Sequence, residues 1–194
     1  MIIIIHKVNT IRELLDIDKS FGVEIDIRSY GKDLILNHEP MHRGELLEDY
    51  LSYFNHKYII ANIKESGVEK KVIEIFKKFK IENFFLLDVE FPFILDSYNL
   101  DFKKIALRFS DYEYLDFNKK FNQYFNWLWI DTYKDPSFDI LINEKIAKIK
   151  KCLVCPERWN RPEKISEYKS IIDNYNLKLD AVMTNLNYIN YWLK

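Results

Sequence analysis

The stretch that decides the fold is VEIDIRSYGKDLILNHEP, residues 23–40. Apolar and charged residues alternate over 23–28, which is the period of a strand whose successive side chains face opposite sides. A second apolar run, 34–38, follows after only five residues, which include Gly31. This spacing predicts a β-hairpin whose first strand carries two carboxylates on one of its faces.

Short apolar runs rich in β-branched residues recur along the rest of the chain. Counting the hairpin, the nine runs are 2–6, 23–28, 34–38, 58–63, 84–89, 105–109, 127–131, 152–155 and 180–184. Amphipathic segments with helical period separate most of them, among them 44–54 and 68–79. Strands that alternate with helices predict a parallel sheet that is covered by helices.

Treating the hairpin as one unit leaves eight strand units. The sequence therefore predicts an α/β fold, a compact (β/α)8 TIM barrel with an extra β-hairpin after strand 2. A single TIM-barrel domain would span residues 1–194, because no linker-like segment interrupts the chain. The alternative is an open doubly wound sheet, whose typical glycine-rich phosphate loop this sequence lacks.

Two helix starts carry the pattern of a capping box, in which a Ser and a Glu three residues later satisfy free backbone amides. The first runs from Ser66 to Glu69 and the second from Ser110 to Glu113. The polar and aromatic segment 117–127 has helical spacing, which predicts a further helix with a buried aromatic face.

Charge and composition exclude several classes of function. The 194 residues include 29 basic and 30 acidic ones, so the net charge is -1, and 48% are hydrophobic. This balance lacks the basic footprint of a nucleic-acid-binding protein, so no nucleic-acid partner is expected. No run reaches the roughly 18 apolar residues of a membrane span, and the first residues lack the basic flank of a signal peptide. We expect a cytoplasmic globular protein whose oligomeric state the sequence leaves open.

Polar residues collect at the ends of the predicted strands, where barrel enzymes place their active sites. Glu24 and Asp26 are two positions apart on a strand and face the same way, as do Asn62 and Lys64. The remaining strand-end residues are His6, His38, Asp88, Glu90, Arg108 and Asp131. Their conjunction at successive strand ends favours an active site.

The types of these residues predict phosphoryl-transfer chemistry. Two carboxylates on one face would bind a hard divalent cation, Mg²⁺ or Ca²⁺, to which Asn62 would add a carbonyl oxygen. His6 and His38 would supply a general acid and a general base near neutral pH. Lys64 and Arg28 would hold an anionic group of the substrate.

These motifs resemble those of the glycerophosphodiester phosphodiesterase family, within the phosphatidylinositol-phospholipase-C-like phosphodiesterase superfamily. The family's strand ending in His-Arg and then Asn is matched by HKVN at 6–9. Its Glu-x-Asp strand, turn and second His are matched by 23–40, and its Glu-x-Lys by NIK at 62–64. AVMTN at 181–185 weakly matches the family's last strand, and the match is closest over residues 4 to 64. The resemblance implies a barrel with an acid–base histidine pair and a bound divalent metal ion.

The resemblance also assigns roles by position. His6 and His38 would be the acid–base pair, and Glu24, Asp26 and Asn62 would be the metal ligands. Lys64 would bind the phosphate.

Three positions near these residues depart from the family pattern. Lys7 stands where the family has Arg, Glu39 where it has Asp, and Asn62 where it has Glu, which removes one negative charge from the metal site. The family's inserted subdomain after the second histidine is missing, because the chain passes from His38 almost directly to the next helix. This absence predicts a more open substrate cleft.

Other polar residues are candidates for substrate contacts. Arg158 and Trp159, in the loop after the seventh strand, are predicted to bind the leaving group of the substrate, and Arg108 is predicted to contact the substrate as well. The alternative for the loop is a surface segment with a packed Trp. Asp88 and Glu90 are predicted either as further metal ligands or as ion-pair partners of neighbouring cations.

The sequence thus predicts a metal-dependent phosphoric diester hydrolase. It would cleave a small glycerophosphodiester-like or polyol phosphodiester by His/His general acid–base catalysis. One alternative is a non-catalytic barrel that binds a phosphorylated ligand or a partner protein. Another is a sugar-phosphate lyase or isomerase that uses the same metal site.

Overall fold

The protein has a mixed α/β fold in which β-strands and helices alternate along much of the chain. The computed structural model describes residues 1–135 and 138–193. The chain forms two compact units. The N-terminal unit is Ile4–Leu100, and the C-terminal unit is Met1–Ile3 together with Asp101–Lys194.

The N-terminal unit is built around one long strand, β2. Its strands are β1 (Ile2–Ile5, of which Ile4 and Ile5 belong to this unit), β2 (Gly22–Tyr30), β3 (Asp33–Leu36), β4 (Glu45–Leu46), β5 (Ile59–Ile63) and β6 (Phe84–Leu87). Its helices are α1 (Ile11–Asp16), α2 (Leu47–Tyr53), α3 (Glu69–Lys78) and α4 (Phe91–Asn99). Strand β2 pairs in parallel with β1 and β5, and β5 pairs in parallel with β6. Strands β2, β3 and β4 are joined by antiparallel pairing.

The C-terminal unit contains a parallel sheet. Its elements are β7 (Ala106–Phe109), β8 (Trp127–Ile130), β9 (Lys150–Val154), α5 (Lys164–Asn174), β10 (Ala181–Thr184) and α6 (Ile189–Trp192). Strand β8 pairs with β7 and β9, and β9 pairs with β10, all in parallel. In the described part of the chain, no helix is both long enough and apolar enough to cross a membrane.

The mixed α/β architecture and the hairpin predicted from 23–40 are confirmed. Strands β2 and β3 pair antiparallel, with Ile27 opposite Leu36. The pairings within each unit do not establish that the sheet closes, so the (β/α)8 barrel stays a prediction. The single domain over residues 1–194 also stays a prediction.

Strand β2 is buried on both faces, which gives its charged residues their significance. Val23, Ile25 and Ile27 are fully buried on one face. Glu24 and Asp26 lie on the opposite face and are only 2% and 1% exposed. A carboxylate at such a position is costly unless hydrogen bonds or a cation compensate its lost hydration. The partners of these two residues therefore define the candidate site.

The helix predicted over 68–79 forms, but its start differs from the predicted capping box. Helix α3 begins at Glu69 after Val68, whose side chain makes no capping bond. The Glu69 carboxylate accepts the backbone N–H of Gly67 at 2.8 Å, so the acidic half of the box works without Ser66. A complete capping box occurs instead at α1, where Thr10 and Glu13 bond reciprocally.

The helix predicted over 117–127 does not form. The segment contains only a short 3-10 helix, Lys120–Gln123. Asn122 Nδ2 donates to the backbone carbonyl of Asp116 at 2.9 Å, and Gln123 Nε2 donates to that of Phe117. Amide side chains that bond nearby backbone groups in this way compete with the helical ladder. At the second predicted box, Ser110 Oγ accepts the N–H of Glu113 at 3.1 Å, but only a turn forms there.

Candidate active site

The centre of the candidate site lies on the adjacent parallel strands β2 and β5. In the backbone register Glu24 is opposite Ile60 and Asp26 is opposite Asn62. The side-chain contacts are diagonal, and each is shifted by two residues from this register. Asn62 Nδ2 donates to Glu24 Oε1 at 2.8 Å. Lys64 Nζ lies 3.2 Å from Asp26 Oδ1. Each buried carboxylate of β2 thus takes a donor from a residue two positions beyond its backbone partner, Asn62 in β5 for Glu24 and Lys64 just after β5 for Asp26.

The loop that follows β1 supplies the other donors to the two carboxylates. The backbone N–H of Lys7 donates to Glu24 Oε2 at 2.7 Å, with Lys7 in the left-handed region at a φ of 55°. Asn9 Nδ2 donates to Asp26 Oδ2 at 2.8 Å, and Asn9 Oδ1 accepts the backbone N–H of Asp26 at 2.8 Å. His6 Nε2 lies 3.9 Å from Glu24 Oε2. This loop therefore holds one predicted catalytic histidine beside one predicted metal ligand.

The two carboxylates share one lysine, so negative charge is only partly compensated. Burial, and to a smaller extent the neighbouring Asp26 charge, raise the pKa of Glu24 from its ordinary 4.5 to about 7. The hydrogen bonds from Asn62 and from the Lys7 N–H, together with the Lys64 charge, act in the opposite direction. A positive ligand at this position would remove the repulsion between the carboxylates and favour ionised Glu24.

The residues present fit a hard divalent cation. Asn62 Oδ1 is buried and has no hydrogen-bond partner within the described residues. A buried carbonyl-type oxygen without a donor is a group that Mg²⁺ or Ca²⁺ would accept as a ligand. Each carboxylate oxygen of Glu24 and Asp26 accepts one close donor and keeps further lone-pair capacity. No group of three or more His, Cys, Asp or Glu side chains that could hold a metal occurs in the described part of the chain. A metal bound by Glu24 and Asp26 could take Asn62 Oδ1 as its third protein ligand.

His38 lies just beyond β3, at the edge of an open cleft. Its Nδ1 is 2.7 Å from Glu39 Oε1, and its side chain is 45% exposed. The bond to His38 lowers the pKa of Glu39. A carboxylate at Nδ1 favours the tautomer with hydrogen on Nδ1, which leaves Nε2 as the proton-exchanging nitrogen. Glu39 thereby acts on His38 at the position where the family pattern has Asp.

The cleft has a volume of about 520 Å³ and is formed within the N-terminal unit. Its lining includes His38, Lys7, Asn9, Asn37 and Arg43. The cleft is therefore lined both by His38 and by residues of the loop after β1. This loop also carries His6, and its Lys7 and Asn9 bond the two buried carboxylates. A volume of this size suits a small ligand, for which pockets of about 300 to 1,000 Å³ are usual.

Arg28 follows Glu24 and Asp26 on the same face of β2, but its guanidinium bonds to backbone carbonyls. Nε and Nη2 donate to the carbonyl oxygen of His38 at 3.1 and 3.0 Å. Nη1 donates to the carbonyl oxygen of Lys64 at 3.1 Å. The prediction that Arg28 contacts the substrate stays a prediction, and three of its five donors are already engaged.

Asp88 is the carboxylate on the far side of Lys64. It follows β6, and its Oδ2 lies 3.8 Å from Lys64 Nζ. With a φ of 57° it lies in the left-handed region, as does Lys7, and each of the two residues follows the end of a strand by no more than two positions. Backbone conformations of this kind cost energy and are frequent at functional sites.

Two of the three predicted substrate-binding residues of the C-terminal unit contact a different carboxylate, Asp131. Arg108 Nη1 donates to Asp131 Oδ2, and Trp159 Nε1 donates to Asp131 Oδ1 at 3.0 Å. Burial raises the pKa of Asp131, while the Arg108 charge opposes that shift. The Trp159 ring lies against Tyr133 with 4.1 Å between centroids and is about one third exposed. Substrate roles for Arg108 and Trp159 stay predictions.

Arg158, the remaining predicted substrate contact, lies in the same C-terminal loop as Trp159. Its Nη1 is 3.5 Å from Asn185 Oδ1. Neither this contact nor any other described one tests the substrate role of Arg158, which also stays a prediction.

The sequence analysis did not predict that the loop after β1 bonds the buried carboxylates. Asn9 and the N–H of Lys7 bond the buried carboxylates directly, although the two-residue strand period gave no reason to select them. The HKVN motif at 6–9 was the available signal, since it places an amide and a backbone donor immediately after the strand.

Comparison with known proteins finds a likeness of fold but no match of sequence. No family model and no curated protein sequence matches the chain. The fold is similar to the crystal structure of glycerophosphodiester phosphodiesterase from Agrobacterium tumefaciens str. C58, with a TM-score of 0.69 and 10% sequence identity. The match covers 95% of this chain and 97% of that one. At this identity the likeness concerns the fold, and at that level the resemblance predicted from the motifs is confirmed.

Proposed function

We propose that this chain is a metal-dependent phosphodiesterase on a compact (β/α)8 barrel. Its substrate would be a small glycerophosphodiester-like or polyol phosphodiester, and His6 and His38 would catalyse its cleavage. The fold likeness to a glycerophosphodiester phosphodiesterase supports this class of reaction. The same comparison leaves the metal and the histidine roles to be argued from this chain's own residues.

The observation that carries the proposal is the buried pair Glu24 and Asp26 in β2, of which Asp26 pairs with Asn62 near the carboxyl end of β5. Two adjacent carboxylates in a strand that is buried on both faces oppose folding, as the raised pKa of Glu24 shows. Apolar residues would form this strand at lower cost. Strongly perturbed carboxylates in such a position are typical of functional sites.

Glu24, Asp26 and the Asn62 Oδ1 atom would hold the divalent cation, Mg²⁺ or Ca²⁺. When bound, the cation would supply charge neutralisation at a non-bridging oxygen of the substrate phosphate. Lys64 would bind a second phosphate oxygen, because its ammonium group lies beside Asp26 and is partly exposed. Asp88 would keep Lys64 oriented from its other side.

The two histidines would move the protons of the reaction. One would take a proton from the attacking hydroxyl, which is either a neighbouring hydroxyl of the substrate or water, and the other would give a proton to the leaving oxygen. His38 suits such a role because it lines the cleft and because Glu39 binds its Nδ1, which leaves Nε2 for proton exchange. His6 suits it because the loop after β1 holds its ring beside Glu24.

The test is a turnover screen with matched histidine variants. Purified protein is assayed with Mg²⁺, Ca²⁺ or Mn²⁺ on glycerophosphodiesters, nucleotide-linked polyols and bis(p-nitrophenyl) phosphate. We expect metal-dependent turnover that falls about 10²- to 10⁴-fold in His6→Ala. His42→Ala serves as the control, because His42 is exposed and its Nδ1 lies 2.9 Å from the carbonyl oxygen of the nearby Pro40. Absence of turnover on every substrate, or full turnover by His6→Ala, would overturn the proposal.

A second candidate function is a non-catalytic barrel that binds a phosphorylated ligand or a partner protein. The observation that favours it is the satisfied state of the carboxylates, since Asn62, Lys64, Asn9 and the Lys7 N–H already donate to them. Calorimetric titration with glycerol phosphate separates the two candidates. Binding without turnover of any diester would favour the non-catalytic barrel.

A further inference from the structure

Arg28 joins the two chain segments that carry a proposed catalytic histidine and the proposed phosphate-binding lysine. It lies near the carboxyl end of β2, one residue beyond the last recorded pair between β2 and β5, Ile27 and Ile63. His38 follows β3 on one side of β2, and Lys64 follows β5 on the other. Arg28 is thus placed between two segments that have just left the sheet.

Each of these segments is tied to β2 by one backbone hydrogen bond at the point where it leaves the sheet. Asn37 N–H donates to the Asp26 carbonyl at 3.0 Å. Lys64 N–H donates to the Ile27 carbonyl at 3.1 Å. The guanidinium of Arg28 adds the next tie on both sides, through the carbonyls of His38 and Lys64. The side chain therefore continues the cross-strand bonding where the backbone ladder stops.

The chemistry of guanidinium suits this bridging contact. One edge of the planar group, Nε and Nη2, binds the His38 carbonyl, and the opposite side, Nη1, binds the Lys64 carbonyl. A lysine ammonium at the same position is a point donor and cannot hold two carbonyls in a fixed fork. Because guanidinium stays charged at every pH at which proteins are folded, the bridge does not titrate.

We propose that Arg28 is a positioning residue that fixes the backbone of His38 and Lys64 relative to each other. Arg28 would thereby determine where the His38 ring and the Lys64 ammonium group lie relative to one bound phosphate. The kinetic part of this inference rests on the proposed phosphodiesterase function, whereas the structural part does not. The competing role is direct contact between Arg28 and the substrate.

Hydrogen exchange tests the bridge without any need for activity. The probes are the backbone amides of Asn37 and Lys64, measured by NMR in wild type, Arg28→Lys and Arg28→Met. We expect both amides to exchange at least about tenfold faster in the variants, because the segments open locally once the bridge is lost. The amide of Ile59, bonded to the Asn83 carbonyl at 2.9 Å, is the internal reference and should not change. Arg28→Lys keeps the charge and stem and provides the measurement if Arg28→Met does not fold.

Arg12→Met is the matched control, since Arg12 is an exposed arginine of α1. It should leave the exchange of the Asn37 and Lys64 amides unchanged. Unchanged exchange of these amides in both Arg28 variants, or equal acceleration in the control, would overturn the bridge.

Kinetics then separates positioning from substrate contact. Misplaced reacting groups lower kcat, so we expect kcat to fall by about 10- to 100-fold in Arg28→Lys with KM nearly unchanged. A raised KM with unchanged kcat would instead assign Arg28 to substrate binding and overturn the positioning role. If wild type turns over no diester, the proposed function fails alone, because the exchange experiment still decides the bridge.

Discussion

The Glu24→Gln substitution tests the electrostatic description of the site most directly. Gln has nearly the shape of the protonated Glu24 side chain, but it cannot ionise. Its amide carbonyl can still accept the Lys7 N–H. Its NH₂ group takes the place of the oxygen that Asn62 Nδ2 bonds, so the Asn62 amide must turn over and accept this NH₂ through its Oδ1, which has no partner among the described residues. We therefore expect the metal-free variant to fold and to be more stable than wild type above neutral pH.

The magnitude follows from the raised pKa of Glu24. The pKa moves from its ordinary 4.5 to about 7 because burial and Asp26 oppose ionisation. As pH rises from 4.5, the unfolded chain loses this proton first, so the stability of the wild type falls until the pH passes about 7. At about 1.4 kcal/mol per pKa unit, ionised Glu24 costs the folded state about 3 kcal/mol at pH 8. At pH 5 the same linkage gives only about 1 kcal/mol.

Urea unfolding at pH 5 and pH 8, in the presence of EDTA, measures this difference. The midpoint for Glu24→Gln should exceed that of the wild type at pH 8, with an unchanged slope, and the advantage should shrink at pH 5. Glu74→Gln is the control, because Glu74 is an exposed carboxylate of α3. Added Mg²⁺ or Ca²⁺ should stabilise the wild type and leave Glu24→Gln nearly unaffected.

Two outcomes would refute the reasoning. If Glu24→Gln were less stable than wild type at pH 8, the hydrogen bonds to the carboxylate would outweigh its burial and its repulsion by Asp26. If the difference between the two proteins were the same at pH 5 and pH 8, the proton would not be coupled to folding.

Two further substitutions examine the third ligand position and the wall of the cleft. Asn62→Glu should raise the affinity for Mg²⁺ or Ca²⁺ in a calorimetric titration, because it adds a negative charge between Glu24 and Lys64, and an unchanged affinity would remove Asn62 from the metal site. Gly44→Ala should lower the free energy of unfolding by about 1 to 3 kcal/mol in urea, because its Cβ would overlap the backbone carbonyl of Leu36. Unchanged stability of Gly44→Ala would contradict the close approach of these two segments.

The sequence predicted which residues lie together on one face of the strands, but it did not predict which side chains bond each other. The period of two placed Glu24 and Asp26 together, and the strand-end rule added Asn62 and Lys64 from the neighbouring strand. Register, however, is not visible in a single sequence. The pairing Glu24–Asn62 and Asp26–Lys64 therefore required the structure, as did the discovery that Asn9 bonds Asp26.

The predicted helix boundaries were wrong where polar side chains bond other backbone groups nearby. The Ser66 pattern was matched in letters, but the helix begins at Glu69 and uses only the acidic residue. Thr10 and Glu13 have the same spacing and form the complete box. The spacing alone is thus insufficient, because the Ser or Thr at the N-cap must also have an extended backbone conformation, as Thr10 has.

The diagonal pairing of β2 with β5 also explains why Arg28 binds carbonyls. Asn62 bonds Glu24, and Lys64, which follows β5, lies beside Asp26, so each side chain contacts the β2 residue two positions before its backbone partner. Neither side chain is then directed at Arg28. A straight pairing would set Arg28 beside the Lys64 ammonium, where two positive charges repel. With the diagonal pairing, the Lys64 ammonium neutralises Asp26, and the Lys64 carbonyl is the group that Arg28 meets. The same two-residue offset that compensates the carboxylates therefore directs the guanidinium to the backbone of the two segments that it bridges.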